Sequence, residues 1–155
     1  MRLSKNFTLS EVTRSNTARR LNIDNTPKSE HLKNMQRIIT NLIQPMRDAL
    51  GPIRVTSGYR SPELNRAIGG SKKSQHSKGQ ACDLQFWKDG QMCNQEIYNW
   101  VLKSGIEFDQ MINEFDYAWI HISLKENKNR NMVLEAYKDK DGDTAYKVAD
   151  IVTSL

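Results

Sequence analysis

Apolar residues in the first third of the chain recur at helical spacing. Leu32, Met35, Ile39, Leu42, Ile43 and Met46 fall on one stripe of a 3.6-residue period, and lysines, arginines and asparagines occupy the positions between them. The pattern predicts a helix over residues 27–50, ended by Gly51-Pro52. Pro45 should kink or split it, because a ring without an N–H interrupts the hydrogen-bond ladder. Ahead of it, Thr8-Leu9-Ser10-Glu11 has the form of a capping box and predicts a short helix.

From residue 53 the period shortens to two. Residues 53–56 read as a strand that leads into the loop Ser57-Gly58-Tyr59-Arg60. Ser61 then caps a helix with Pro62 at its first position, and Gly69-Gly70 closes it. In residues 81–86, Cys82, Leu84 and Phe86 face one side of a strand, and Ala81 and Asp83 face the other. Asp89-Gly90 makes a turn, and Asn94–Ser104 reads as a helix stopped by Gly105. Two strands follow at 109–114 and 118–124. In the second, Ile120, Ile122 and Leu124 form a core face opposite Trp119, His121 and Ser123. Residues 132–137 and 144–148 predict a final hairpin around the Asp139-Lys140-Asp141-Gly142-Asp143 turn. Helices first and strands later is the α+β order, with N-terminal helices expected to pack on a mainly antiparallel sheet.

At 155 residues the chain is expected to be one domain, residues 1–155, large enough to bury a core without staples. The net charge of +5 favours an anionic partner. A nucleic acid is not expected, because the basic residues are dispersed and no basic-aromatic stripe is present. No segment approaches the length of a membrane span. No apolar stretch follows the basic residues at the N-terminus, so no secretory signal is expected either. Cys82 and Cys93 are too few for a disulfide scaffold and lack zinc-finger spacing; Cys82, on the core side of its strand, is read as buried and inert.

The chemistry concentrates in "SQHSKGQACD", residues 74–83. His76 lies in the loop that feeds the strand carrying Asp83, and His121 lies on the polar face of a later strand. If the two strands share a sheet, these side chains converge. Two imidazoles and a carboxylate around an open fourth position is the composition of a catalytic zinc site, which makes bound water acidic enough to attack a carbonyl. Against this stands the commoner use of a lone histidine as a hydrogen-bonded surface residue. The Asp139–Asp143 run has its glycine misplaced for a calcium loop, so a hairpin turn explains it better. His31 is read as exposed. Trp87, Trp100, Tyr59 and Tyr117 either line a groove or fill the core.

Three separated segments carry a family resemblance. Val55-Thr-Ser-Gly-Tyr-Arg-Ser-Pro-Glu-Leu-Asn, then Ser74, His76, Gly79, Ala81 and Asp83 in the SxHxxGxAxD pattern, and then Trp119-Ile120-His121 resemble the zinc D-alanyl-D-alanine carboxypeptidases. That family includes bacterial D,D-carboxypeptidases, D,D-dipeptidases and phage endolysins, and Phe7-Thr-Leu-Ser-Glu with Asn16-Thr-Ala-Arg-Arg is similar to its short phage and prophage branch.

The resemblance implies one zinc per chain held by His76, Asp83 and His121. It implies that Arg60 holds the substrate, with Ser57 and Tyr59 beside it in the same loop, and that Ser74 and Trp119 support the ligands. The substrate implied is a peptidoglycan peptide, cut next to a D-amino acid by a monomer. The enzyme would be made in the bacterial cytoplasm and would reach the wall after release or in a virion. Where many members have an acid three positions before the last histidine, this chain has Ala118. The expected base is therefore Glu114, from a Glu114-Phe115 pair ending the preceding strand, with Asp116 as the alternative. The missing acid also leaves open a recognition module without activity, such as the hedgehog signalling domain on a related fold.

Overall fold

The computed structural model describes residues 1–149. Its chain order is β1 (Arg2–Ser4), β2 (Phe7–Thr8), α1 (Leu9–Thr13), α2 (Asn16–Arg20), α3 (Ser29–Ile38), α4 (Gln44–Leu50), β3 (Ile53–Ser57), α5 (Pro62–Ala67), β4 (Ala81–Lys88), β5 (Gln91–Met92), α6 (Asn94–Ser104), β6 (Gln110–Glu114), β7 (Trp119–Ser123), β8 (Met132–Lys138) and β9 (Thr144–Val148). The fold is α+β with a mixed sheet. Among the described residues, no helix is long and apolar enough to cross a membrane.

The N-terminal third follows the helical pattern with one modification. α3 and α4 are joined by a π-helical turn over Ile39–Ile43, in which the Gln44 N–H reaches back five residues to the Ile39 carbonyl. Pro45 follows at once and has no N–H to give. A wider turn just before it lets helical hydrogen bonding continue past the clash that a proline ring makes with the carbonyl four residues back, so the helical segments run on unbroken from Ser29 to Leu50. The predicted stripe is buried: Met35, Ile39, Leu42, Ile43 and Met46 join one cluster with Leu84, Phe86, Ile120 and Ile122. Each such side chain contributes about 1.5–3 kcal/mol.

Periodicity did not reveal the β1–β2 ribbon, whose strands are only three and two residues long. Gln44 fixes it, accepting from the Ser4 hydroxyl and the Asn6 N–H and donating to the Asn6 side chain. Thr8 caps α1 by accepting from the Glu11 N–H at 3.3 Å, half of the capping box the sequence suggested.

The main sheet runs β3-β4-β7-β6-β8-β9, with β5 added to the end of β4. Every neighbouring pair is antiparallel except β6 and β8, which are parallel. The expectation of a mainly antiparallel sheet therefore needs this amendment: β8 does not return beside β7 but crosses to the far side of β6. Asp109 pins the crossing. Its carboxylate accepts from the Arg130 N–H at 3.0 Å and from one edge of the Arg130 guanidinium, Nε at 3.0 Å and Nη2 at 2.8 Å. Its own carbonyl accepts from the Met132 N–H.

Two registers matter for function. Asp83 pairs with His121 across β4 and β7, and a one-residue slip between Val55 and Ser57 brings Ser57 opposite Asp83 on the other side. Ser57, Asp83 and His121 thus stand abreast on three adjoining strands.

Asp109 is fully buried, which by itself raises a carboxyl pKa; the Arg130 hydrogen bonds, reinforced by Lys125, outweigh this and bring it down to about 2. A depressed folded pKa contributes stability above the unfolded value, which is lost as pH falls through the folded one. Urea unfolding between pH 5 and 2 should show stability declining from about pH 4, and Asp109→Asn should flatten that decline while lowering stability at pH 7 by about 1–3 kcal/mol.

Candidate metal centre

His76, Asp83 and His121 come together. Asp83 is delivered by β4 and His121 by β7, and their pairing sets Asp83 Oδ1 3.0 Å from His121 Nδ1. His76 arrives on a single 3-10 turn, Gln75–Lys78, placing Nε2 3.3 Å from the same Oδ1. Ser74 starts that turn by accepting from the His76 N–H. Gly79 ends it at φ +74°, where any added Cβ would also meet the His31 carbonyl on α3. Only glycine lets the turn lie this close to the helix.

The ring of His76 is oriented from behind. Its Nδ1 lies 2.7 Å from the Gly58 carbonyl, which can only accept, so Nδ1 carries the proton and Nε2 presents a lone pair. Gly58 is itself required: a Cβ there would run into the backbone of Val12, whose carbonyl accepts the Tyr59 N–H. Burial lowers the His76 pKa, the neighbouring Asp83 opposing this only in part, and keeps the imidazole neutral. Burial pushes Asp83 the other way, toward protonation, but the hydrogen bond from His121 prevails and holds it well below the usual carboxylate range.

The donor set fits zinc. Ligands at about 2.0–2.2 Å from a tetrahedral ion lie about 3.3 Å apart, and here the three donor atoms lie within 4.8 Å of one another, two of the separations being 3.0 and 3.3 Å. Three nitrogen and oxygen donors leave a fourth position for water or substrate, as catalytic rather than structural zinc sites do.

The other expected residues are placed as follows. Arg60 spends Nε on Ser57 Oγ at 3.1 Å and Nη2 on Asp83 Oδ2 at 3.3 Å, so it grips the carboxylate oxygen that the histidines leave free. Glu114 is 8% exposed and lines the same cavity as the triad, as do Arg60, Ser74 and Trp119. Burial raises its pKa, with His121 opposing. Asp116 is exposed, in a turn where Phe115, Asp116 and Tyr117 all have positive φ, and is not part of that lining. Tyr59 is 2% exposed and turns its hydroxyl to His31 Nδ1 at 2.8 Å, away from the triad's cavity. His31 is consequently half-buried and not the exposed residue its helix position suggested. Cys82 is buried and its thiol pushed up to about 12, which leaves it inert. Asp139 accepts from the Asp141 and Asp143 N–H groups, so this run closes a hairpin.

Sequence reasoning missed Gly58 as the support of His76, because the group involved is a backbone carbonyl. It also missed Gln75, whose side chain donates to Asp109 at 3.1 Å and so ties the His76 turn to the β6–β8 crossing.

An α+β fold carrying a buried His-Asp-His cluster in an open cleft presents a possible metal site. The model of the peptidase M15 family matches residues 5–123, more than half of the chain, and the chain belongs to that family. M15 peptidases are zinc metallopeptidases, and the triad is a possible site for the ion. No curated protein matches the chain.

Titration with zinc against a competing chromophoric chelator should give one ion per chain. His76→Ala, Asp83→Ala or His121→Ala should each weaken binding at least roughly 100-fold, and zinc should raise the melting temperature of the wild type alone.

Proposed function

We propose that this protein is a zinc peptidase of bacterial cell walls, hydrolysing a peptide bond next to a D-amino acid in peptidoglycan stems or cross-links. The observation that carries this reading is the sharing of one cavity, about 740 Å³, by the triad, Arg60 and Glu114. A single domain acting as a monomer suffices for it, released to the wall from the cytoplasm or carried in a virion.

Zinc, when bound at His76, Asp83 and His121, supplies a Lewis acid that activates water and stabilises negative charge on the carbonyl oxygen. Glu114 Oε takes the proton of the attacking water and returns it to the leaving amine. Its burial favours this, since a raised carboxyl pKa brings the base nearer neutrality. Arg60, oriented by Ser57, holds Asp83 in place and presents its remaining donors to a substrate carbonyl or carboxylate. Trp119, packed at a 59° tilt against Phe115 with ring centroids 5.5 Å apart, forms an apolar wall of the cleft beside Glu114. Tyr59 serves substrate binding only through the loop it anchors.

One observation favours a second reading, a recognition module without turnover. Position 118 has no carboxylate, and the Ala118 carbonyl is occupied by Gln85 and Asn94, a structural use of that strand end.

Release of D-alanine or of new amino groups from purified peptidoglycan separates the two. The zinc-loaded wild type should cleave, a chelator should stop it and zinc restore it, and Glu114→Gln should lower kcat roughly 10²–10⁴-fold with zinc still bound. Activity surviving in that variant would move the base to Asp116. No cleavage by folded, zinc-loaded protein would leave the recognition module.

A further inference from the structure

The cleft that holds the triad has a second, basic end. Lys125 and Arg130, from the crossing between β7 and β8, line the same cavity as His121 and Glu114. Both lie beyond residue 123, where the family match stops.

These two cations are held, not merely nearby. Arg130 sets Nε and Nη2 on the buried Asp109 carboxylate, and Lys125 Nζ lies 3.5 Å from the same group. The buried anion fixes the guanidinium plane before any ligand arrives, which removes most of the ordering cost that a free arginine would incur on binding. Two cations face one anion, so a positive charge is left over. Their side chains remain 46% and 34% exposed, which leaves Nη1 and two ammonium protons for a ligand from the cleft. Gln75 donates to Oδ2 of Asp109 as well, so the arrangement is built into the turn that carries His76.

We propose that Arg130 and Lys125, held by Asp109, form an anion pocket that determines specificity by taking a carboxylate of the substrate remote from the bond cleaved. The inference rests on the peptidase reading for the identity of the substrate as a peptide. A peptide's own anion is a carboxylate, and a planar guanidinium beside an ammonium suits it. The pocket selects acidic stems over amidated ones.

The test uses two synthetic stem peptides with the same scissile bond, one with its remote carboxylates free and one with them amidated. kcat/KM is measured for zinc-loaded wild type, Lys125→Gln, Arg130→Gln and Arg130→Lys, and the dissociation constants of both peptides are measured by calorimetry on zinc-loaded Glu114→Gln protein with and without the same changes. Wild type should favour the free-carboxylate peptide roughly tenfold in both assays. Lys125→Gln and Arg130→Gln should bring the ratio toward one, and Arg130→Lys should retain part of it. Each ratio is taken within one protein, so a general loss of stability does not move it, and Lys125→Gln leaves the Arg130–Asp109 pair intact. Cleavage of both peptides without preference, or a preference unaltered in both neutral variants, overturns the pocket and leaves the peptidase reading standing. Preference in binding without cleavage keeps the pocket and overturns the peptidase reading. Neither binding nor cleavage overturns both.

Discussion

A carboxylate buried among apolar strands is tolerated only if every oxygen has a partner, and Asp83 meets that condition from three directions. His121 reaches it from the next strand, His76 from the turn before its own strand, and Arg60 from the loop after β3. Each partner fixes a different piece of the architecture. The β4–β7 register must put residue 83 opposite 121, the slip in β3 must carry Ser57 and then Arg60 to the same level, and Gly79 must let the turn close onto α3. A one-residue change in either register would turn one of these groups to the other face of the sheet and leave Asp83 short of a partner. Folding and site assembly are therefore one constraint. The polar face of the sheet is kept in register by the same contacts that gather the donor atoms.

What the sequence made legible were the features with a short period or a local chemical rule. The stripe of Met35, Ile39, Leu42 and Met46, the alternation of Cys82, Leu84 and Phe86, the Ser61-Pro62 start of α5 and the Gly105 stop of α6 all state their own structure, because each depends on neighbours within one or two turns. The His76, Asp83 and His121 set was legible because Asp83 and His121 fall on the polar faces of their strands and because the segments that carry all three resemble a zinc peptidase family. Three other features were not. The parallel pairing of β6 with β8 depends on where the chain goes after residue 124, and alternation within a strand is blind to the direction of its partner. The Gly58 carbonyl has no side chain to notice. Tyr59 sits between a backbone-pinned glycine and Arg60, and only the three-dimensional course of that loop shows that it turns inward to His31.

Asp109 stands to the outer wall of the cleft as Asp83 stands to its floor. Both are buried carboxylates at strand level, and both are satisfied by groups from separate segments. They differ in what surrounds the partners. Around Asp83 the partners are themselves largely enclosed, which suits donors that must stay neutral or desolvated and hold one geometry. Around Asp109 the cations reach outward into the cleft, which suits recognition, because a charge must meet solvent-borne ligands before it can select among them.

The two carboxylates are not independent. Gln75 donates to Asp109 and is followed directly by His76, so one short turn is tied at one residue to the Lys125–Arg130 wall and at the next to the possible metal site. A hydrogen bond of ordinary strength contributes only about 1 kcal/mol to stability, but at this position it acts on geometry. It limits how far the His76 turn can shift relative to the β6–β8 crossing. The triad and the Lys125–Arg130 wall are thereby held to a common frame, which is the condition for a ligand bound at one end of the cleft to be positioned at the other.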